Sequence, residues 1–225
     1  MLITDRLLID RDRLIKQDQT LSFSGMAWED YEQISSEKDR GYRVSFCDGV
    51  ITIMSPSQNH ERIKDFIFLL IVTYCDVLEL DYYPTGSTTF KDRNQQVGKE
   101  PDCSFCFDSL KDIPDLAIEV VFSSGETPRY PKVYPLGRRK AQGNAHQESG
   151  GTQDLKKYQK LSVKEVWFWI NNNLEIYILN NNSYQLNNRS CNLPKLDDKL
   201  LTKYISQALN NNPRTLKKRF LEELQ

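Results

Sequence analysis

Residues Leu116 to Phe122 read LAIEVVF, an apolar run broken only by Glu119. A strand with one wet face alternates apolar and polar side chains, whereas a continuous apolar run is a strand covered on both faces. The natural reading is a buried central strand, with helix packed on the sheet. One such helix is legible from about His60 to Leu78, where apolar residues at 63, 66, 67, 70, 71 and 74 follow a 3.6-residue period and Ser57 or Asn59 supplies the cap. An α/β fold with a mixed sheet follows.

The remaining elements fall into order around this pair. MAWEDYEQISS spaces Met26, Tyr31 and Ile34 for a short helix with Glu29 and Asp30 in its first turn. YRVSFCDGVITIMSP is two β-rich runs joined by Asp48-Gly49, a strong hairpin signal, and closed by Pro56. DYYPTGSTTFK and EPDCSFCFD are strand-like runs preceding the apolar one. Leu155, Tyr158 and Leu161 mark a second amphipathic helix, followed by VKEVWFWI and NLEIYIL around the turn Asn171-Asn172-Asn173. Trp167, Phe168 and Trp169 alternate along a strand and read as core rather than as a base-stacking platform.

Residues 1–25 read as a loosely held polar arm, residues 26–200 as the domain, residues 180–192 as an Asn-rich linker, and residues 201–225 as a helical tail in which Pro213 suits a first helical turn. Residues 126–148 break the pattern. They carry three prolines and five basic residues against two acids and show no periodicity, the composition of a disordered insertion. Their Arg129, Lys132, Arg138, Arg139 and Lys140 fit a solvated loop or a clamp on a phosphate backbone.

Composition narrows the function. With 27% charged residues but a net charge of −1, the chain has no global field that draws a polyanion, so nucleic acid would need a local basic patch. No apolar run spans a bilayer, and MLITDRLLIDRDRLIK carries charges where a signal peptide is apolar, so a cytoplasmic location is expected. Five cysteines include Cys103 and Cys106 as a lone CxxC, whose members point to opposite faces of a strand, and no second pair completes a zinc site with His60 or His146.

Two acids stand out, Asp102 at the start of one strand and Glu119 inside the next. A charge within an apolar strand is costly unless paired or metal-bound. Carboxylates converging from adjacent strands suit a hard divalent cation such as Mg²⁺, which takes few protein ligands and leaves positions for a phosphate oxygen and a hydroxide.

The succession MAWEDYE, YRVSFCDGVITIMSPSQNHERIK, GSTTF, EPDCSFCF, PDLAIEVVFSSG, GG, KKYQKLSVKEVWFW and LEIYIL closely resembles the Uma-two family of restriction-endonuclease-like proteins, in the PD-(D/E)xK nuclease superfamily, over about residues 26–200 less the insertion. The resemblance implies an α-β-β-β-α-β core and Mg²⁺-dependent endonuclease action on DNA. Asp102 would be the PD aspartate, Glu119 the second acidic ligand, the carbonyl of Val120 a further metal ligand, and Glu61 in HERIK the first-motif acid. His60 and Arg62 beside it would meet phosphate. Dimers are frequent among similar nucleases, which leaves a homodimer open.

Two departures bear on activity. The superfamily lysine would stand two residues after Glu119, where Val121 is found; relatives commonly carry it four residues before a tyrosine on the next helix, where Asp154 precedes Tyr158. Lys156 and Lys157 are the nearby substitutes for orienting water, although on a helix they face elsewhere. The insertion also separates Ser124-Gly125 from Ser149-Gly150-Gly151, two halves of the strand-to-helix junction. The rival expectations are a catalytically inactive relative serving as a nucleic-acid-binding or interaction module, and a structural protein whose acids pair with neighbouring cations.

Overall fold

The computed structural model describes residues 17–38, 41–122 and 150–224. Eleven strands among them form two sheets: a smaller one ordered β1-β3-β2-β6-β5 and a larger one ordered β11-β10-β9-β8-β7-β4. The smaller sheet contains β1 (Gln19–Ser24), β2 (Arg43–Cys47), β3 (Val50–Ser55), β5 (Phe90–Asp92) and β6 (Val97–Lys99). The larger contains β4 (Tyr82–Pro84), β7 (Cys103–Phe107), β8 (Leu116–Val121), β9 (Glu165–Ile170), β10 (Asn173–Asn180) and β11 (Ser183–Asn187). The helices are α1 (Trp28–Glu37), α2 (Gln58–Val77), α3 (Gly150–Lys160), α4 (Asp198–Ile205) and α5 (Pro213–Leu224).

In chain order, α2, β4, β7, β8, α3 and β9 give the expected α-β-β-β-α-β core. Strands β4, β7 and β8 pair antiparallel, and β9 lies parallel to β8 after the crossover through α3. As its sequence requires, β8 is buried on both faces. Ile118 and Val120 join Ile67, Leu70 and Tyr74 of α2 and Trp167 and Trp169 of β9 in one apolar cluster. Ala117 packs on the other face with Tyr158, Leu161, Val166 and Phe168. The three consecutive aromatics of β9 are thus core on opposite faces. Helix α1 covers the smaller sheet, where the Tyr31 ring stacks on Phe46 at 5.5 Å.

Two expectations are corrected. Residues 19–24 are an ordered edge strand, paired from Gln19↔Ser55 to Ser24↔Val50, and not a loose arm. The Asn-rich stretch is not a linker: β10 continues to Asn180 and turns through Asn181 and Asn182, both at positive φ, into β11. Asparagine tolerates that left-handed conformation better than most residues, so the pair makes a hairpin turn. The proposed insertion at 126–148 lies outside the described residues.

Candidate active site

The site forms where the chain passes from the smaller sheet to the larger. Strand β6 ends at Lys99; Glu100 and Pro101 make the crossing; Asp102 leads into β7. The Asp102 N–H donates to the Ile118 carbonyl at 3.1 Å, the residue that Cys103 pairs with, so Asp102 enters as an extra residue at the start of the β7–β8 ladder, on the same side of that pair as Glu119. Both side chains are buried.

Asp102 meets three donors. Its Oδ2 accepts the Val120 N–H at 2.7 Å. His60 Nε2 lies 3.0 Å from Oδ2, and Arg43 Nε lies 3.0 Å from Oδ1. These last two are ion-pair distances without hydrogen-bond alignment, so Asp102 Oδ1, Arg43 Nε and His60 Nε2 are buried atoms with no hydrogen-bond partner. Burial opposes the Asp102 charge, but His60 and Arg43 hold its carboxyl below the ordinary range. Burial would likewise depress His60; Asp102 and Asp18 reverse this and raise the imidazole to about 9.

Glu119 has a different shell. Its Oε1 accepts the Tyr158 hydroxyl of α3, and its Oε2 accepts Lys99 Nζ at 3.1 Å. Burial pushes this carboxyl up to about 7; Asp102 and Asp154 add to the effect while Lys99 and Tyr158 oppose it. Lys99 also donates to Asp154 Oδ2 at 3.3 Å. Burial works against the ammonium, yet Asp154, Glu119 and Asp102 hold its pKa above the ordinary lysine value.

The other expected residues take varied positions. Glu61, half-exposed in the first turn of α2, pairs with Lys64 and with Arg43 at 3.1 Å, so Arg43 stands between it and Asp102. His60 is enclosed between Asp102 and Asp18, where free phosphate cannot reach it, and Arg62 donates to the Leu209 carbonyl at 3.0 Å. Lys157 bonds Asp154 at 2.8 Å and Ser45 Oγ at 2.9 Å, and reaches Glu119 only through Asp154 and Lys99. Lys156 lies on the surface against Asp48 at 2.8 Å. Cys103 and Cys106 are buried free thiols.

The profile of the Uma2 family, described as "Putative restriction endonuclease", matches residues 28–201. The chain belongs to the Uma2 family. No curated protein matches it. A crystal structure of a putative nuclease belonging to DUF820 from Anabaena variabilis is similar at 10% identity and a TM-score of 0.49, over 78% of this chain and 98% of that one. Among the described residues no helix is long and apolar enough to cross a membrane.

Sequence reasoning missed two cations of this Uma2 site, Arg43 and Lys99. Arg43 opens β2 in YRVSFCDGV, where the legible signal is the hairpin turn and not the charge. Lys99 had a signal: it stands three residues before Asp102 in GKEPD, close enough in sequence to share its end of the sheet.

Proposed function

We propose that this Uma2 protein is a divalent-metal-dependent endonuclease that hydrolyses DNA phosphodiesters, with Asp102 and Glu119 as the metal-holding acids and the Val120 carbonyl as a further ligand. The observation that carries the reading is that two buried acids, Asp102 and Glu119, flank the Cys103↔Ile118 pair at the same end of adjacent strands. The donor chemistry fits. Mg²⁺ needs only one or two carboxylates, its other positions being water and substrate phosphate. Asp102 Oδ1 is a buried carboxylate oxygen with no hydrogen bond, facing only the Arg43 guanidinium at 3.0 Å, and Asp102 and Asp154 add to the burial that raises Glu119. Among the described residues there is no cluster of three or more His, Cys, Asp or Glu suited to a metal, so a cation here would rely on two carboxylates, a carbonyl and water.

A bound divalent cation supplies Lewis-acid polarisation of phosphate and a lowered pKa for bound water. The protein's own groups prepare the site for it. Val120 N–H and His60 fix the orientation of Asp102, and the Tyr158 hydroxyl fixes Glu119. Hydrolysis joins the water oxygen to phosphorus as the bond to the departing sugar oxygen breaks; water loses a proton to solvent and the departing oxygen gains one.

One observation favours a second reading, a family member without hydrolytic activity. Each acid already faces protein cations or donors, Arg43 and His60 at Asp102, Lys99 and Tyr158 at Glu119. Nicking of supercoiled plasmid with Mg²⁺ or Mn²⁺, alongside calorimetric metal titration, separates the two. The active reading requires cleavage that EDTA stops and that Asp102→Asn and Glu119→Gln both abolish. Equal cleavage by the variants moves the site elsewhere, and an inert wild type that binds no metal establishes the second reading.

A further inference from the structure

We propose that Lys99 is the cationic catalytic residue of this site, delivered from β6, and that Asp154 is its positioning residue. The inference rests on the nuclease reading above and names the group that reading lacks. The two positions where a lysine was expected hold Val121 and Asp154. Among the described residues, Lys99 is the lysine that touches either acid: its Nζ is 3.1 Å from Glu119 Oε2. Lys157 reaches only Asp154 and Ser45, and Lys156 is paired with Asp48 at the surface.

The arrangement is a charge exchange between two elements. Asp154 and Tyr158 stand four residues apart on α3 and so share a face. From that face Asp154 holds Lys99 at 3.3 Å while Tyr158 donates to Glu119. Lys99 also lies 5.9 Å from the centroid of the Tyr158 ring. An isolated buried ammonium tends to lose its proton, because burial disfavours the charged form. Asp154 Oδ2 at 3.3 Å and Glu119 Oε2 at 3.1 Å flank the Lys99 ammonium, so its buried charge is paired on two sides. A carboxylate at 154 is therefore the partner of the relocated lysine and places it, instead of adding unmet negative charge.

In the reaction Lys99 would donate hydrogen bonds to the phosphate oxygen that gains charge as water adds to phosphorus. Fixed donors aimed at developing charge in a water-poor site are worth about 100- to 1000-fold in rate. Lys99 keeps its proton throughout; the proton of the attacking water goes to solvent, and the departing sugar oxygen is protonated from solvent.

The test compares wild type with Lys99→Met, Lys99→Arg and Asp154→Asn in single-turnover cleavage of plasmid, with circular dichroism to confirm folding and calorimetric Mn²⁺ titration as the second readout. Lys99→Met is expected to cleave at least about 100-fold more slowly while binding Mn²⁺ no more weakly, because it removes a cation that competes for Glu119. Lys99→Arg should recover part of the rate, and Asp154→Asn should lower it by about tenfold with the metal affinity retained. Wild-type cleavage by folded Lys99→Met, or weakened Mn²⁺ binding in it, overturns the assignment and leaves the nuclease reading standing. An inert wild type overturns both.

Discussion

Gly98 of β6 lies directly against the ring of Tyr31 in α1, so that a Cβ built on Gly98 would fall inside the hydroxyl, Cζ and Cε1 of that ring. The tyrosine cannot swing aside, because it is fully buried between Trp28 and Phe46. Gly98→Ala is expected to destabilise the protein by about 1 to 3 kcal/mol, the usual cost of forcing a methyl group into a packed core. Tyr31→Phe should not rescue it, since the clash includes ring carbons and not the hydroxyl alone. Urea denaturation midpoints of the single and double variants check this; an alanine variant as stable as wild type would mean that the two elements separate readily. The same contact sets the position of Lys99, the next residue along.

Asp18 ties the smaller sheet to the candidate site. Its Oδ1 accepts the Ser57 N–H at 2.8 Å at the start of α2, and its Oδ2 accepts the Phe122 N–H at 3.2 Å and faces His60 Nδ1 at 2.9 Å. Removing the carboxylate strands several partly buried donors, each costing about 1 to 3 kcal/mol when left without a partner. Asp18→Ala should therefore lower stability by about 2 to 4 kcal/mol and raise amide exchange in β1. Unchanged exchange at Thr20 to Phe23 would show that the pairing with β3 alone holds the strand.

Asp154 gives a pH dependence with a definite sign. Burial alone would raise its pKa, but Lys157 and Lys99 bring it down to about 2, from an ordinary 3.8. A depressed carboxyl contributes stability that is present above the unfolded value and lost as pH falls through the folded one. The window is thus about pH 4 down to 2, and the contribution at neutral pH about 2 kcal/mol. Asp154→Asn should flatten the acid limb of the melting curve in that window. Asp154→Lys should cost more, about 3 to 5 kcal/mol, because it leaves Lys99 and Lys157 buried beside a third ammonium. That outcome is the reverse of what relatives with a lysine four residues before the tyrosine imply for position 154; a stable and more active Asp154→Lys protein would show that the position still accepts it.

The reversal shows what kind of information the sequence holds. Glu119 is legible because a lone acid in LAIEVVF violates its own local pattern, and α2 because its period holds over about three turns from Ile63 to Tyr74. Strand β1 was legible in principle: TLSFS alternates, and its burial alternates with it. The ion pairs were not legible. Lys99 meets Glu119 across 20 residues and Asp154 across 55, through the meeting of two sheets and a helix, and no periodicity encodes such a junction. A charged side chain reads as a surface residue until its partner is known, since pairing is what makes its burial tolerable.

Residues 126–148 separate the end of β8 from the start of α3, and their removal should leave the fold standing. The crossover that carries α3 is secured by residues outside the segment: Tyr158 and Leu161 are buried against Val166 and Phe168 of β9, with Leu155 packed beside them. The segment itself offers Tyr130, Val133, Tyr134 and Leu136 as large apolar groups among three prolines and five basic residues, which is little to bury. Rejoining Gly125 to Ser149 shortens the loop and lowers its closure entropy by at most about 1 kcal/mol. In a protein of this size that corresponds to a melting temperature unchanged or raised by about 2 to 4 °C. Differential scanning calorimetry of the shortened protein checks the expectation. A fall of about 5 °C or more would mean that the segment contributes roughly a kilocalorie or more of packing to the domain. Its basic cluster from Arg138 to Lys140 would then have to be tested as a phosphate-binding element, through the salt dependence of DNA affinity in the full-length and shortened proteins.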